Sequence, residues 1–342
     1  MREQRTRREL LAGAGALGLA GLAGCAGGRL GVGGASDGAS TTGDQSVTIF
    51  HAGSLAPPFE TAESEFEAEH SASVSREAKG SVASTKKITA QDRSADVLGV
   101  SDFRLLRDRL LPDYGDWYAV FATNAMSLQY REGAPGADEI GPDNWWEILS
   151  REGVTVGHAD PAIDPGGYRA VMAMQLGKEE FDGRRLYDQR TYERIRENMT
   201  VPTGTETKLA GQLQAGKLDY ALYYRSIAAS TGLPRVDLQP HVDLSEFTAE
   251  HARHYAKAAV ETDAGTFTGA PIAYGITVPS VAEAPEAGAQ WIEHMLTEPG
   301  REALTASGLI PSEPAIVTDG GEVPDRVARH AEAKSSLGPL DL

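Results

Sequence analysis

The sequence predicts an α/β protein made of two lobes facing each other across a cleft. Short β-branched runs alternate with helix-compatible segments along the chain. The first strand–helix units meet at Gly-Ser turns, and two longer β-type runs stand where the chain would pass between lobes. With 342 residues there is enough chain for two domains and a substantial core.

Residues 1–25 read as an export signal. Arg2, Arg5, Arg7 and Arg8 form a basic region, and Thr6-Arg7-Arg8-Glu9-Leu10-Leu11 resembles a twin-arginine signal. The run from Leu11 to Ala23 is too short and too rich in Ala and Gly for a transmembrane helix. It ends in Leu22-Ala23-Gly24-Cys25, a lipobox-like sequence whose thiol is the expected acceptor of a lipid. Cys25 is the one cysteine, which excludes a disulfide framework and a Cys-rich metal cluster. Residues 26–45 are a Gly/Ser/Thr-rich flexible linker. The mature protein is therefore expected outside the cytoplasm, held at the cell surface by a membrane anchor.

The body opens with a strand, Ser46 to His51, a Gly53-Ser54 turn, and a helix burying Phe59, Ala62 and Phe66. The unit recurs as a strand over 73–78, a Gly80-Ser81 turn, and a helix marked by Val82, Thr85 and Ile88. A serine at a helix start offers its hydroxyl and the following N–H groups. Two such serines on successive parallel strands share one sheet edge, where α/β proteins bind ligands. Ala95 to Val100 is a third strand, and Trp117 to Tyr130 is long enough to enter a second lobe.

The middle region predicts helices over 145–149 and 192–198, a strand over 154–158, and a helix burying Leu209 and Leu213 that Gly216 closes. A strand over 219–224 follows, and Pro271 to Val278 crosses back before helices near 290–296 and 302–306. The boundaries expected are 46–124 with 272–320 for lobe I, 125–271 for lobe II, and a fraying polar tail over 321–342.

Asp164-Pro165-Gly166-Gly167-Tyr168-Arg169 delivers a carboxylate to a helix start. Helix starts favour anions, yet this carboxylate repels one unless it bonds a central atom or accepts a proton. It also suits plain helix capping. The 32 Lys and Arg against 49 Asp and Glu leave a net charge of −17, which excludes a nucleic-acid partner but not a small anion in a donor-lined cleft. His251 and His254 have ligand-like spacing without an intervening Glu, so a solvated helix face is expected. Asn198-Met199-Thr200 is a glycosylation sequon, and Glu293 reads as an indifferent surface acid.

Taken in order, Phe50-His51-Ala52-Gly53-Ser54-Leu55, Arg76 to Val82, Ala95 to Val100, Phe121 to Met126, Asp164 to Arg169, Ala215 to Ser226 and Pro271 to Thr277 resemble the archaeal-type tungstate/molybdate-binding proteins of ABC importers. The resemblance spans about Val47 to Pro314. It implies a two-lobed, type II periplasmic-binding-protein fold, with mixed sheets flanked by helices and two crossover strands as hinge. By motif position Asp164 and Glu206 resemble the carboxylates that complete six oxygens around the metal of the oxyanion. Ser54 and Ser81 resemble the hydrogen-bond donors, with Tyr168 as a further donor. Gly166 stands where many members carry Cys, and Lys208 where members show a second acid.

The resemblance further implies a monomer, an ABC permease and its ATPase as partners, tungstate or molybdate as ligand, no cofactor and no catalysis. Hard oxygen donors suit such a metal and reject sulfate, whose centre does not expand its coordination. The alternatives are a receptor for another tetrahedral oxyanion such as phosphate or sulfate, or an exported hydrolase using Ser54 or Ser81 with Asp164 or Glu206. No Gly-x-Ser-x-Gly elbow supports the hydrolase, and His51, the one base near Ser54, is expected to be structural.

Overall fold

A computed structural model describes residues 45–342 except Thr203. The expected signal, Cys25 and the linker up to residue 44 lie outside the described residues. Gln45, assigned above to the linker, instead opens the first strand, β1 (Gln45–Ala52). β2 (Ala72–Lys79) and β3 (Val97–Val100) lie parallel to it on either side. The connecting helices Ala56–His70 and Ser81–Thr89 bury the apolar positions expected, Phe59, Ala62 and Phe66 on one and Val82, Thr85 and Ile88 on the other. Both Gly-Ser turns therefore stand at the carboxyl edge of parallel strands.

The long run over 117–130 is two strands, β4 (Ala119–Thr123) and β5 (Met126–Tyr130). Asn124 breaks it by turning its side-chain carbonyl back onto the N–H of Ala125 at 2.9 Å. Next come β6 (Val156–Gly157), β7 (Met199–Thr200), β8 (Tyr220–Tyr224) and β9 (Arg235–Asp237). A hairpin, β10 (Ala259–Thr262) with β11 (Gly265–Thr268), precedes β12 (Ala273–Thr277), β13 (Ile310–Thr318) and β14 (Ala331–Lys334). One sheet runs β14-β13-β4-β12-β3-β1-β2 and the other β7-β6-β8-β5-β9. The chain thus leaves the larger sheet at Asn124 and returns just before β12.

Helices pack on both sheets. Trp291, on the helix Pro285–Leu296, meets Phe59 and Phe66 edge-on at 5.4 and 5.2 Å, locking two helices over the larger sheet. In the other lobe Trp145 packs edge-on against Tyr187 at 5.8 Å.

Three local expectations are corrected, and a fourth feature, the sequon, is placed. The tail does not fray along its length, because β14 pairs with β13 in parallel and extends the larger sheet. Glu293 is not idle, since it binds Arg326 at 2.7 Å and lies near Arg329 and His330. His254 is buried rather than solvated, held by the edges of Phe181 and His241 at 4.9 and 5.9 Å. The Asn198 amide donates to the carbonyls of Leu149 and Arg151, both at 2.8 Å, and a glycan, which replaces one of its two hydrogens, would cost one of these bonds.

Candidate functional site

Asp164 caps the helix Pro165–Leu176, accepting from Gly166 N–H at 2.9 Å, as the Asp-Pro-Gly-Gly order requires. Its other oxygen, Oδ2, faces the N–H of Glu206 at 3.4 Å. Glu206 opens the turn Glu206–Lys208 ahead of the helix Leu209–Gln214. A side chain at Gly166 would overlap Glu206 Oε2, so this glycine leaves the space that the second carboxyl fills. Both acids are almost fully buried, and Glu206 Oε2 has no hydrogen-bond partner among the described residues.

Burial raises the Asp164 carboxyl to about 6, against the lowering influence of the Gly166 and Glu206 amides. Burial, and then the charge of Asp164, drive Glu206 well above the usual carboxylate range. The Arg169 charge and the Ser54 hydroxyl both act to restore its ionised form.

Across the cleft, Ser54 lies in the turn Gly53–Leu55 and accepts from Tyr274 OH at 2.9 Å. Tyr274 in turn accepts from Asn124 Nδ2 at 2.9 Å, which ties Ser54 to the point where the chain changes sheets. Ser81 opens the next helix, where its Oγ accepts from Ser101 N–H at 3.0 Å and lies 3.1 Å from Ser101 Oγ. The lobes are shut: Ala83 N–H donates to Ile163 O at 3.3 Å, and Gly80 lies so close to Ile163 that a Cβ would overlap its carbonyl. Ser54, Asp164 and Glu206 thus meet at one buried corner, with Ser81 on the helix that abuts the Asp164 loop.

Tyr168 is placed otherwise than expected. Its ring stacks on Phe267 at 4.2 Å and its hydroxyl donates to Asp102 Oδ2 at 2.7 Å. A phenol has one proton to donate, and a buried carboxylate is the stronger acceptor. Tyr168 therefore braces the lobes, and its hydroxyl proton is committed away from a ligand.

The sequence reading also passed over the central cation. Arg169 is fully buried, donating to Ser101 O at 2.6 Å and Tyr224 OH at 2.5 Å, with Nη2 3.2 Å from Asp102 Oδ2. Although burial opposes ionisation, Arg104 and Arg169 hold the Asp102 carboxyl well below the usual range. Asp102 lies two residues beyond the end of β3, so its position past a strand end was the available signal. Nothing local in the sequence marked Ser101, Tyr224 or Tyr274 as its neighbours.

The pairing a serine hydrolase needs is not formed. His51 Nδ1 is bonded to Ala52 O at 2.8 Å, and burial lowers its imidazole to about 4.

Residues 47–310 match the family described as bacterial extracellular solute-binding protein. The chain belongs to that family. Among relatives of this solute-binding family, an uncharacterized solute-binding protein of Methanoculleus marisnigri is 37% identical over 84% of this chain and 87% of its own length. The molybdate/tungstate-binding protein WtpA of Pyrococcus abyssi is 33% identical over 84% of this chain and 90% of its own. The Thermococcus kodakarensis protein of the same name is 30% identical over 85% and 88%.

Among solved structures, the periplasmic molybdate-binding protein of Azotobacter vinelandii superposes with a TM-score of 0.57 over 77% of this chain and 98% of that one, at 12% identity. The sulfate-binding protein SubI of Mycobacterium tuberculosis gives 0.56 over 83% and 90%, at 16% identity. At such identities the likeness is one of fold, the type II periplasmic-binding-protein fold that the family resemblance implies.

Proposed function

We propose that this solute-binding protein holds a tungstate or molybdate ion between its lobes and delivers it to a membrane ABC permease and its ATPase. The observation that carries the reading is the buried, unpaired Oε2 of Glu206 beside the carboxyl of Asp164. A buried carboxylate oxygen without a partner is costly, and two neighbouring acids repel. A high-valent metal at the centre of an oxyanion offsets both costs, because each carboxyl gains an oxygen-to-metal bond. Ser54 and Ser81 then donate to the oxyanion's own oxygens, and Arg169 supplies positive charge nearby. The names of the Pyrococcus and Thermococcus relatives support this choice of ligand.

The device is selective, since sulfate and phosphate would meet the same two acids with no metal to coordinate. The ligand bridges residues of both lobes, so it favours the shut form that the permease would recognise. The protein works as a monomer, without a cofactor, tethered through lipid on Cys25; Cys25→Ser should release it from the membrane fraction.

Calorimetric competition among tungstate, molybdate, sulfate and phosphate tests the ligand. Tungstate and molybdate should bind one per chain and resist a hundredfold excess of the others. Displacement by phosphate or sulfate would replace this reading with a general tetrahedral-anion receptor.

A further inference from the structure

Far from the cleft, the helix Ala56–His70 ends in Glu69 and His70, beside His294 in the last turn of the helix Pro285–Leu296. Glu69 Oε2 lies 3.7 Å from His294 Nδ1 and 3.9 Å from His70 Nε2. One ligand atom from each of the three residues falls within 4.8 Å of the others. Two imidazoles and a carboxylate are a donor set for zinc and its neighbours in the first transition row. We propose that Glu69, His70 and His294 form a divalent transition-metal site, filled by Zn²⁺ or a similar ion, that staples these two helices on the outside of the lobe.

Three further observations point to a cation. His294 is nearly fully buried, wedged against Phe66 at 5.7 Å and Trp291 at 6.4 Å, so its ring is fixed before a metal arrives. Its separation from Glu69 exceeds hydrogen-bonding distance, and a metal between them would bind both. Both histidines stand in the last turns of their helices, where the backbone dipoles favour positive charge.

The geometry needs an adjustment that exposed side chains can make. Tetrahedral zinc with bonds of about 2.0 Å sets its ligand atoms about 3.3 Å apart. The two separations from Glu69, 3.7 and 3.9 Å, need to contract by about half an ångström and the one between the histidines, within 4.8 Å, by up to about 1.5 Å, and Glu69 and His70 are exposed enough to move. Ser54 stands just before the start of the same helix, roughly 22 Å of helix away, so the metal and oxyanion sites are separate.

The test is calorimetric titration of the full chain, without a polyhistidine tag, with zinc chloride, beside the variants Glu69→Gln and His70→Ala. One zinc per chain should bind to wild type, with reversal by EDTA and a melting temperature raised by roughly 5 °C at a hundredfold excess over Kd. Each variant changes an exposed side chain; each should lose at least tenfold in zinc affinity and keep its tungstate affinity. Absence of stoichiometric zinc binding to wild type overturns the proposal. Unchanged zinc affinity in both variants, whose folds are checked by circular dichroism and tungstate binding, overturns it equally.

Discussion

The backbone N–H of Glu206 points at Oδ2 of Asp164 from 3.4 Å, which brings two acids from separate loops of one lobe to the same buried corner. Among the described residues neither acid meets an arginine in a direct ion pair; Arg169 turns its guanidinium to Ser101, Tyr224 and Asp102 instead. Among the described residues Glu206 Oε2 is left without a partner at this corner, in a chain whose family binds external solutes.

Removing one of these acids should abolish binding while leaving the fold intact. Asp164→Ala is expected to weaken tungstate binding by about a hundredfold or more, ~3 kcal/mol. Glu250, an exposed acid, is the proper control, because Glu293 holds Arg326 and its loss would disturb helix packing. Equal calorimetric affinities for Asp164→Ala and Glu250→Ala would remove Asp164 from the site.

Acid should weaken the complex. Burial holds the Asp164 carboxyl at about 6, and Glu206 sits well above its usual range for the same reason. An oxygen that binds metal must first give up its proton. Tungstate affinity should therefore fall about tenfold per pH unit for each proton displaced, as pH drops below about 6. Because Glu206 is raised further, a shallower dependence should persist above that point. Were the carboxyls merely donating protons to the anion, affinity would rise on acidification instead.

Much of this corner was legible in the sequence. The repeated strand–Gly-Ser–helix unit placed Ser54 and Ser81 on one sheet edge, and the Asp-Pro-Gly-Gly order delivered Asp164 to a helix start. Those signals are local, resting on turn chemistry and apolar spacing. The Arg169–Asp102–Tyr168 brace was not legible, since it joins residues 66 and 67 positions apart through contacts that only the shut lobes create. The strand break is marked in that run by a single residue, Asn124, where the expected lobe boundary also fell. β14 was missed because an edge strand of Ala, Glu and Lys carries almost no hydrophobic signal.

Tyr168 offers a way to separate bracing from binding. Tyr168→Phe removes the bond to the buried Asp102 carboxylate and should cost about 1–3 kcal/mol of stability in urea unfolding. Tungstate affinity should change by no more than about threefold, under 1 kcal/mol. A large loss of affinity at unchanged stability would put the hydroxyl on the ligand.

X-ray absorption at the tungsten edge of the loaded protein counts the oxygens around the metal and so bears most directly on the role given to Asp164 and Glu206. Six oxygens are expected in wild type, four from the oxyanion and two from these side chains, with a smaller number in Asp164→Ala. A first shell of four equivalent oxygens in wild type, unchanged by the substitution, would contradict inner-sphere coordination outright.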